Sequence, residues 1–531
     1  MKRAWMAAAL ALTLPLAAEQ HSGEPSTVEL YVAPKNVDEM PVIMTPGAES
    51  ENLPETISET LTTEPGAGVT PVILTAGVPS ARPVNDPLLQ SYGSWGQDFR
   101  DQWGLYALNL VRLDRGMLAA EYSDAMPQEP EPIVVAIIDT GIDYRHPDLP
   151  QSQLWRNPTE KANGRDDDGN GLIDDLIGWN FINDSKTPWD DHGHGTHVAG
   201  IIAAGANNNI GIAGVAPNAR LMVLKALDSS GHGSGSDIAR AIRYAVDKGA
   251  RIIHLSLGGE QPGAVEIDAL NFALRRETLV VTAAGNQASG DNNGYESLPE
   301  VLVVGALDPQ GQRAAFSNWG PSLDLLAPGV EILSLRAQGS DFLRRNGRDD
   351  YIAGAAVVDA DYYRATGNSF AAPYVTGVAA LLLGRDPWLD PNHLTNLLTQ
   401  SATDLGPPGA DANHGYGALN FAKAMVSDPQ RFIEARLAGA ELQPDRTLTL
   451  QGTADANLFG SAYLEYGQGE APQSWQPLGP LIPQPQLNTA LHRFDPQDLP
   501  AGLVTVRLTV QHQDGGQQSS RLQLQIPQSR P

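Results

Sequence analysis

The chain has 531 residues, of which 62 are acidic and 35 basic, so its formal charge at pH 7 is −27. This balance argues against a nucleic-acid partner, because phosphate backbones bind basic surfaces. The absence of cysteine excludes disulfides and thiolate metal sites. The length exceeds what one hydrophobic core organises, so two or three domains are expected.

Residues 1–18 have the pattern of a secretory signal peptide. Lys2 and Arg3 precede a short apolar run, and Ala17-Ala18 form a small-residue cleavage site. The run is too short for a membrane span, and no other stretch is apolar enough for one. We therefore predict a secreted or extracytoplasmic protein without a transmembrane segment.

Residues 19–90 are rich in Pro, Thr, Glu and Gly and poor in aromatic residues. Such a composition is typical of a flexible leader, although segments such as Thr27–Val32 are compatible with isolated strands. The alternative is a small prosegment that is later removed, and the sequence leaves both open.

The first clear strand is Ile133–Ile138, which is continuously apolar as in a buried parallel sheet. Strand and helix patterns then alternate, which predicts a doubly wound, mostly parallel α/β domain over residues 91–428. The later predicted strands are Leu221–Lys225, Ile252–Leu255, Leu279–Thr282 and Val301–Val304. The predicted helices are His197–Ala204, Asp237–Lys248 and Val265–Arg276.

Asp139 stands at the carboxyl end of the first strand, where open α/β sheets place site residues. Taken alone, it could simply cap a loop. The sequence Asp139-Thr140-Gly141 also occurs in aspartic peptidases, but those need a second copy, which this chain lacks.

His194 opens an apolar helix and lies between Gly193 and Gly195, which allow a close backbone approach. A zinc site is the competing interpretation, because His194 and His197 would share a helical face. It is not favoured, since no Glu lies between them as in the common metallopeptidase helix and no third ligand is evident.

Two further motifs complete the set. Asn286 directly follows an apolar strand, and its amide could donate to an oxyanion, although it could also mark a turn. Ser369 stands at the predicted N-cap of an apolar helix, with Pro373 in or near the first turn. A serine at a helix start suits a nucleophile whose reaction produces an oxyanion, but a plain N-cap serine fits as well.

In the order Asp139, His194, Asn286 and Ser369, these motifs closely resemble the subtilisin-like serine peptidases, of the secreted bacterial type with a C-terminal β-sandwich. The resemblance implies a serine endopeptidase that acts on polypeptides, with no catalytic cofactor, and we expect a monomer. It also implies the roles: Ser369 attacks the carbonyl and His194 moves the proton. Asp139 orients the imidazole, and Asn286 stabilises the oxyanion before an acyl-enzyme is hydrolysed.

The resemblance further implies a cleft in which an extended peptide pairs with two strand edges. The implied substrate residues are Ser256, Leu257 and Gly258 on one edge, Gly233, Ser234 and Gly235 on the other, and Gly294 at the floor of the specificity pocket. A small residue there predicts a preference for large uncharged side chains. The alternative is that these glycines only form turns.

The chain departs from the family pattern at Asn368, where Thr is usual, and at Tyr374, where His is frequent. The first departure either weakens oxyanion support or is neutral, since an amide can also donate. The second is interpreted as a packing difference. Neither removes a catalytic group.

Two loops predict structural calcium. An acidic loop follows the start of an EF-hand pattern but lacks its closing Glu, and its predicted ligands are Asp166, Asp168, Asn170 and Asp174. The alternative is a solvated acidic turn. A second loop resembles the tight calcium loop of the family, and its implied ligands are Asp148, Ala206, Asn208, Ile210 and Ile212.

Residues 429–531 change to a period-two pattern that predicts a small β-sandwich, with Asp514-Gly515-Gly516 as a hairpin turn. Its aromatic residues either bind a surface or polysaccharide or, as favoured, form a core. The competing functions for the whole chain are a non-catalytic binding protein on the same fold and an esterase with the same nucleophile.

Overall fold

A computed structural model describes residues 27–29, 85–112, 117–118, 132–256, 258–259, 262–290, 298, 300–338 and 356–527. The predicted signal peptide and most of the predicted leader lie outside these ranges. Within them, no helix combines the length and the apolar character that a membrane crossing requires.

The strands of the first four hundred residues include a large central set and several short pairs. In chain order they are β1 (Thr27–Glu29), β2 (Val111–Arg112), β3 (Met117–Leu118), β4 (Val134–Asp139), β5 (Gly178–Asn180), β6 (Arg220–Lys225), β7 (His232–Ser234), β8 (Ile252–Leu255), β9 (Gly258–Gly259), β10 (Leu279–Ala283), β11 (Leu302–Leu307), β12 (Leu325–Pro328), β13 (Ile332–Leu335), β14 (Val357–Val358) and β15 (Tyr362–Ala365).

Helices alternate with these strands along the chain. They are α1 (Pro87–Gln90), α2 (Trp103–Ala107), α3 (His194–Ala203), α4 (Gly235–Asp247), α5 (Ala264–Arg275), α6 (Asn368–Arg385), α7 (Pro391–Gln400) and α8 (Phe421–Val426). Side chains cap several of their starts. Ser234 accepts the N–H of Asp237 at 3.1 Å in α4, and Asp390 accepts that of His393 at 2.8 Å in α7.

The central sheet has seven strands in the order β12-β11-β10-β8-β4-β6-β5, and every pairing is parallel. Val135 and Ile137 of β4 pack into the layer that contains α3 and α6. Ala136 and Ile138 pack into the opposite layer, with α4 and α5. The sheet is thus covered on both faces, which confirms the predicted doubly wound α/β fold.

Short N-terminal helices pack on the same domain. Leu88 and Leu89 of α1 and Leu105 of α2 belong to the main buried cluster. The packed region therefore reaches upstream of residue 91, where the sequence pattern places the start of the catalytic domain.

The C-terminal region forms two antiparallel sheets, which fits the predicted sandwich. Its strands are β16 (Ile433–Leu442), β17 (Leu448–Ala456), β18 (Phe459–Gln468), β19 (Gln476–Pro477), β20 (Gln486–Phe494), β21 (Gly502–His512) and β22 (Gln517–Ile526). One sheet has the order β16-β17-β20 and the other β19-β18-β21-β22. The turn at Asp514-Gly515-Gly516 joins β21 and β22, as the sequence predicts.

The two sheets enclose one apolar cluster, which includes Leu450, Val504 and Val506. Trp475 is half-buried, with the Arg507 guanidinium 4.0 Å from its ring centroid. This aromatic side chain is therefore covered by cationic neighbours within the region.

Candidate active site

Two elements of the parallel domain bring Asp139 and His194 together. β4 ends at Asp139 and α3 begins at His194, and both side chains are fully buried. The Nδ1 atom of His194 lies 2.9 Å from each carboxylate oxygen of Asp139. A carboxylate in this position selects the tautomer in which Nδ1 carries the proton and Nε2 is the basic nitrogen.

The environment of Asp139 keeps its carboxylate ionised. Burial by itself would raise its pKa, but the neighbouring His194 and the N–H of Thr140, at 2.7 Å, outweigh burial and lower the pKa below its ordinary value. Asp139 is thus a buried anion held next to the imidazole.

Gly195 allows this close approach between α3 and β4. A Cβ atom at this position would lie 2.1 Å from the carbonyl oxygen of Gly141. Any larger residue would push the helix away from the strand end, and His194 with it.

Asp190 organises the start of α3 and was missed by sequence reasoning. It is fully buried and accepts hydrogen bonds from the N–H of Gly193 at 2.7 Å and from the Thr140 and Thr196 hydroxyls at 2.9 and 2.6 Å. It therefore links the loop after β4 to the helix that carries His194. An acidic residue just before a helix start is the signal that could have found it.

The helix of Ser369 begins one residue earlier than its predicted cap. Gly367 is the N-cap of α6, Asn368 is its first residue and Ser369 its second, so the prediction of a serine N-cap is wrong. Pro373 is the sixth residue and lies inside the helix. Gly367 has φ 158° and ψ 158° at this cap, a conformation that glycine adopts readily.

Ser369 is almost fully buried, with 5% of its surface exposed. Its Oγ lies 3.4 Å from the carbonyl oxygen of Ser256. In the other direction, the Ser256 hydroxyl donates to the carbonyl oxygen of Ser369 at 2.8 Å. The ring of the next residue, Phe370, has its centroid 5.2 Å from that of His194. The first turn of α6 therefore packs against the His194 imidazole.

Asn286 and Asn368 form a second contact near the start of α6. The Asn286 side-chain oxygen accepts the N–H of Asn368 at 2.9 Å, which fixes the orientation of its amide. The Asn368 amide in turn donates to the carbonyl of Gly285. Asn368 thus positions the loop of Asn286.

The two predicted cleft edges flank an extended segment of the chain itself. β1 lies between β7 and β9 and pairs antiparallel with both. Val28 is opposite Gly233 and Gly259, and Glu29 is opposite Gly258. Because β9 follows Ser256 in the chain, the antiparallel β1 runs toward Ser256 and the start of α6.

The remaining predicted cleft residues are distributed differently. Ser234 belongs to the edge strand β7, whereas Gly235 is the first residue of α4. Leu257 and Gly294 lie outside the described residues.

Residues 131–417 match the model of the subtilase family. The chain belongs to the subtilase family.

Named relatives agree with this assignment. The subtilase is 39% identical over 292 residues to a thermophilic serine proteinase of Bacillus sp. (strain AK1), which covers 55% of this chain and 61% of the relative. It is 30% identical over 367 residues to subtilisin-like protease 1 of Plasmodium berghei (strain Anka), which covers 66% of this chain and 59% of that relative. It is 35% identical over 288 residues to subtilisin Savinase of Lederbergia lenta, which covers 54% of this chain and 88% of that relative. The match thus spans less than two thirds of the first two relatives.

The tight loop of the subtilase brings N–H donors of two predicted ligand residues next to Asp148, which is fully buried. Its carboxylate accepts the Asn208 amide at 2.7 Å and the Ile212 N–H at 3.0 Å. A second buried carboxylate, Asp86, accepts the N–H of Asn208 at 3.1 Å. Sequence reasoning missed Asp86, which stands in the region predicted to be a leader.

Burial is the main cause of an unusual titration at this loop. It raises the pKa of Asp148 to about 6, against hydrogen bonds from Asn208, Ile212 and Tyr362, and the Asp86 charge raises it further. Burial also raises the pKa of Asp86. Two buried carboxylates near each other form an environment that a cation would stabilise.

The acidic loop of the subtilase is arranged differently from the predicted ligand set. Among the described residues, Glu160, Asp166 and Asp168 place ligand atoms within 4.8 Å of one another. Asp174 instead pairs with Lys186 at 2.7 Å and accepts the N–H groups of two loop residues. The Asn170 side chain donates to Asp175 at 2.9 Å. Glu160 was missed because it precedes the loop.

Proposed function

We propose that this subtilase is a serine endopeptidase with Asp139, His194 and Ser369 as its triad. The observation that carries the proposal is the buried pair in which both Asp139 oxygens lie 2.9 Å from His194 Nδ1. His194 would accept the Ser369 proton and return it to the leaving amine, and an acyl-enzyme would then be hydrolysed. Asn286, with its amide oriented by Asn368, would donate to the oxyanion.

The pairing of β1 favours peptides over simple esters as substrates. An ester has no run of N–H and C=O groups, whereas β1 forms a strand between two edges of the cleft. We propose that polypeptides bind in the same extended mode, with large uncharged side chains preferred next to the cleaved bond. Chromogenic peptides ending in Phe or Leu should then be cleaved faster than those ending in Arg or Glu.

The test of the activity is hydrolysis of casein and chromogenic peptides by the purified protein and its Ser369→Ala variant. Activity in the wild type and its loss in Ser369→Ala is the expected result. Equal activity in both would refute the nucleophile. An inactive wild type from which residues 19–85 have been removed would favour the alternative of a binding protein on the same fold.

We also propose structural calcium, with two candidate sites. The buried carboxylates of Asp86 and Asp148, together with the oxygens of the loop from Ala206 to Ile212, form a hard oxygen set that suits this ion. Glu160, Asp166 and Asp168 form the second candidate. Calcium bound only to the folded state would raise the melting temperature, and a chelator would lower it. The signal-like residues 1–18 support the further proposal that the protein is exported, and we expect it to act as a monomer.

A further inference from the structure

The carbonyl of Ser369 lacks its ordinary helical donor. In an α-helix the C=O of each residue accepts the N–H of the residue four positions on. For Ser369 that residue is Pro373, which lies inside α6 and has no N–H. The Ser256 hydroxyl donates to the Ser369 carbonyl oxygen instead, at 2.8 Å.

The hydrogen bond continues inward through two more side chains. His254 Nε2 lies 2.6 Å from Ser256 Oγ, and His254 Nδ1 lies 2.8 Å from the hydroxyl of Thr376 on α6. All three side chains are fully buried. This chain of hydrogen bonds runs from Ser369 on α6, through Ser256 and His254 at the end of β8, and back to Thr376 on α6, about two turns after Ser369.

Proton counting assigns a direction to every bond. A carbonyl only accepts, so the single Ser256 proton points to Ser369. Ser256 Oγ must then accept from His254, which places a proton on Nε2 and leaves Nδ1 to accept from Thr376. Burial lowers the pKa of His254 to about 3, although the Asp139 charge acts to raise it, so the imidazole is neutral near pH 7. One neutral tautomer satisfies the whole network.

We propose that His254 is a positioning residue for the nucleophile. His254 donates to Ser256 Oγ. The Ser256 hydroxyl can then direct its own proton only toward the Ser369 carbonyl. This fixes the peptide plane that follows Ser369 and, with it, the direction of the attacking hydroxyl. The inference rests on the proposed peptidase function and adds one residue to its machinery. Small errors in the placement of a reacting group reduce turnover strongly, so a residue that fixes this placement affects the rate.

The test compares His254→Phe in two backgrounds, the natural chain and Pro373→Ala. In the natural chain we expect kcat to fall about tenfold with KM changed less than about twofold, as for the loss of one positioning hydrogen bond. In the Pro373→Ala background the new N–H at position 373 can donate to the Ser369 carbonyl. The same His254→Phe change should then cost less than about twofold. A purely structural histidine would give equal losses in both backgrounds, and that result would overturn the proposal, as would an unchanged kcat in folded His254→Phe.

Two further variants keep the result readable. His254→Asn has a smaller side chain but keeps a hydrogen-bond donor, so its kcat should lie between those of the wild type and His254→Phe. A kcat below that of His254→Phe would contradict the proposal. His512→Phe also removes a buried, hydrogen-bonded imidazole, but from the C-terminal sheets. It should leave kcat unchanged, and a tenfold loss there would show that the effect of His254→Phe is not specific.

A second readout separates this inference from the proposed function. The rate at which a fluorophosphonate probe labels Ser369 reports the nucleophile without any peptide. If the wild type is labelled but cleaves no peptide, the endopeptidase function fails, and the labelling rates still test His254 across the two backgrounds. Unequal losses would support its positioning role, and equal losses would refute it.

Discussion

At the scale of single residues, the site depends on polar groups whose orientation is fixed by neighbours. Asn286 illustrates this, because the N–H of Asn368 holds its side-chain oxygen at 2.9 Å. The direction of the opposite atom of the amide, the donor Nδ2, is fixed by the same contact. An oriented donor needs no reorganisation when negative charge develops on the substrate, which is why such groups stabilise transition states well.

We predict that Asn286→Ala lowers kcat by about 100- to 1000-fold with little change in KM, because the lost hydrogen bond forms mainly in the transition state. Steady-state kinetics on a chromogenic peptide measures both constants. Asn286→Asp is the matched variant, since it keeps the shape but replaces the donor with an acceptor and should be equally impaired. Near-normal kcat in Asn286→Asp would contradict the role of Nδ2.

At the scale of elements, the residues proposed for the triad stand at one strand end and two helix starts. β4 supplies Asp139, α3 supplies His194 and α6 supplies Ser369. β1 adds a short strand from the predicted leader between β7 and β9. A leader that pairs with both edges would compete with a substrate bound in the proposed extended mode, which favours the prosegment interpretation of residues 19–90.

We predict that Val28→Pro weakens this competition. Proline lacks the N–H needed for strand pairing, and Val28 is opposite residues of both edges. The unprocessed Val28→Pro protein should therefore hydrolyse short chromogenic peptides faster than the unprocessed natural chain. The comparison requires mass spectrometry to confirm that both leaders are intact. Equal rates would show that β1 does not limit access to the cleft.

We predict that the contribution of Asp148 to the stability of the calcium-free protein falls as pH rises from about 4 to about 6. The folded-state pKa of Asp148, about 6, exceeds the ordinary value of 3.8, so the folded state binds the proton more tightly and loses that advantage on ionisation. The loss should be no more than about 3 kcal/mol in the free energy of unfolding. Denaturant unfolding in chelator at several pH values measures it.

Calcium should reverse this loss, because it stabilises the ionised carboxylate. Asp148→Asn is the control, since it cannot titrate; both its pH dependence and its response to calcium should be smaller than in the wild type. Asp166→Asn separates the contribution of the acidic loop. An equal calcium response in Asp148→Asn and the wild type would rule out the site at Asp148.

At the scale of the whole molecule, the C-terminal sheets contact the α/β domain through backbone hydrogen bonds and a buried charge. Ala410 donates to the Ser519 carbonyl at 2.7 Å, and its own carbonyl accepts from Arg521 at 2.9 Å. Asp324 of the catalytic domain is buried, which raises its pKa to about 6, while the charge of Arg436 on β16 lowers it. The arginine therefore stabilises Asp324 in its ionised form.

We predict that Arg436→Met lowers the free energy of unfolding at pH 8 by roughly 1–2 kcal/mol. At pH 4.5, where Asp324 is protonated, the loss should largely disappear, because the attraction exists only above the folded-state pKa. Denaturant unfolding at both pH values provides the measurement. Arg493→Met, which removes an exposed arginine paired with Asp445, should show no such difference. Equal losses at both pH values in Arg436→Met would contradict the stabilisation of ionised Asp324 by the Arg436 charge.

Local sequence was sufficient for much of this description. Continuous apolar runs predicted the parallel strands, and β8 begins and ends at the predicted Ile252 and Leu255. The hairpin turn after β21 and the alternating pattern beyond it followed from short-range rules as well. These signals are readable because a buried strand, a tight turn and a family motif each depend on neighbouring residues.

The sequence by itself determined the α/β fold and the identity of the residues proposed to form the triad, since both are written in contiguous motifs. Only the tertiary structure revealed that Asp86 joins Asp148, that Glu160 rather than Asp174 completes the acidic cluster, and that β1 pairs with both predicted cleft edges. His254 belongs to the same group, because its role depends on a proline four positions after Ser369 and on a hydroxyl from another strand. Such contacts join residues far apart in the chain, and burial and hydrogen-bond direction, which only folding establishes, decide what each side chain does.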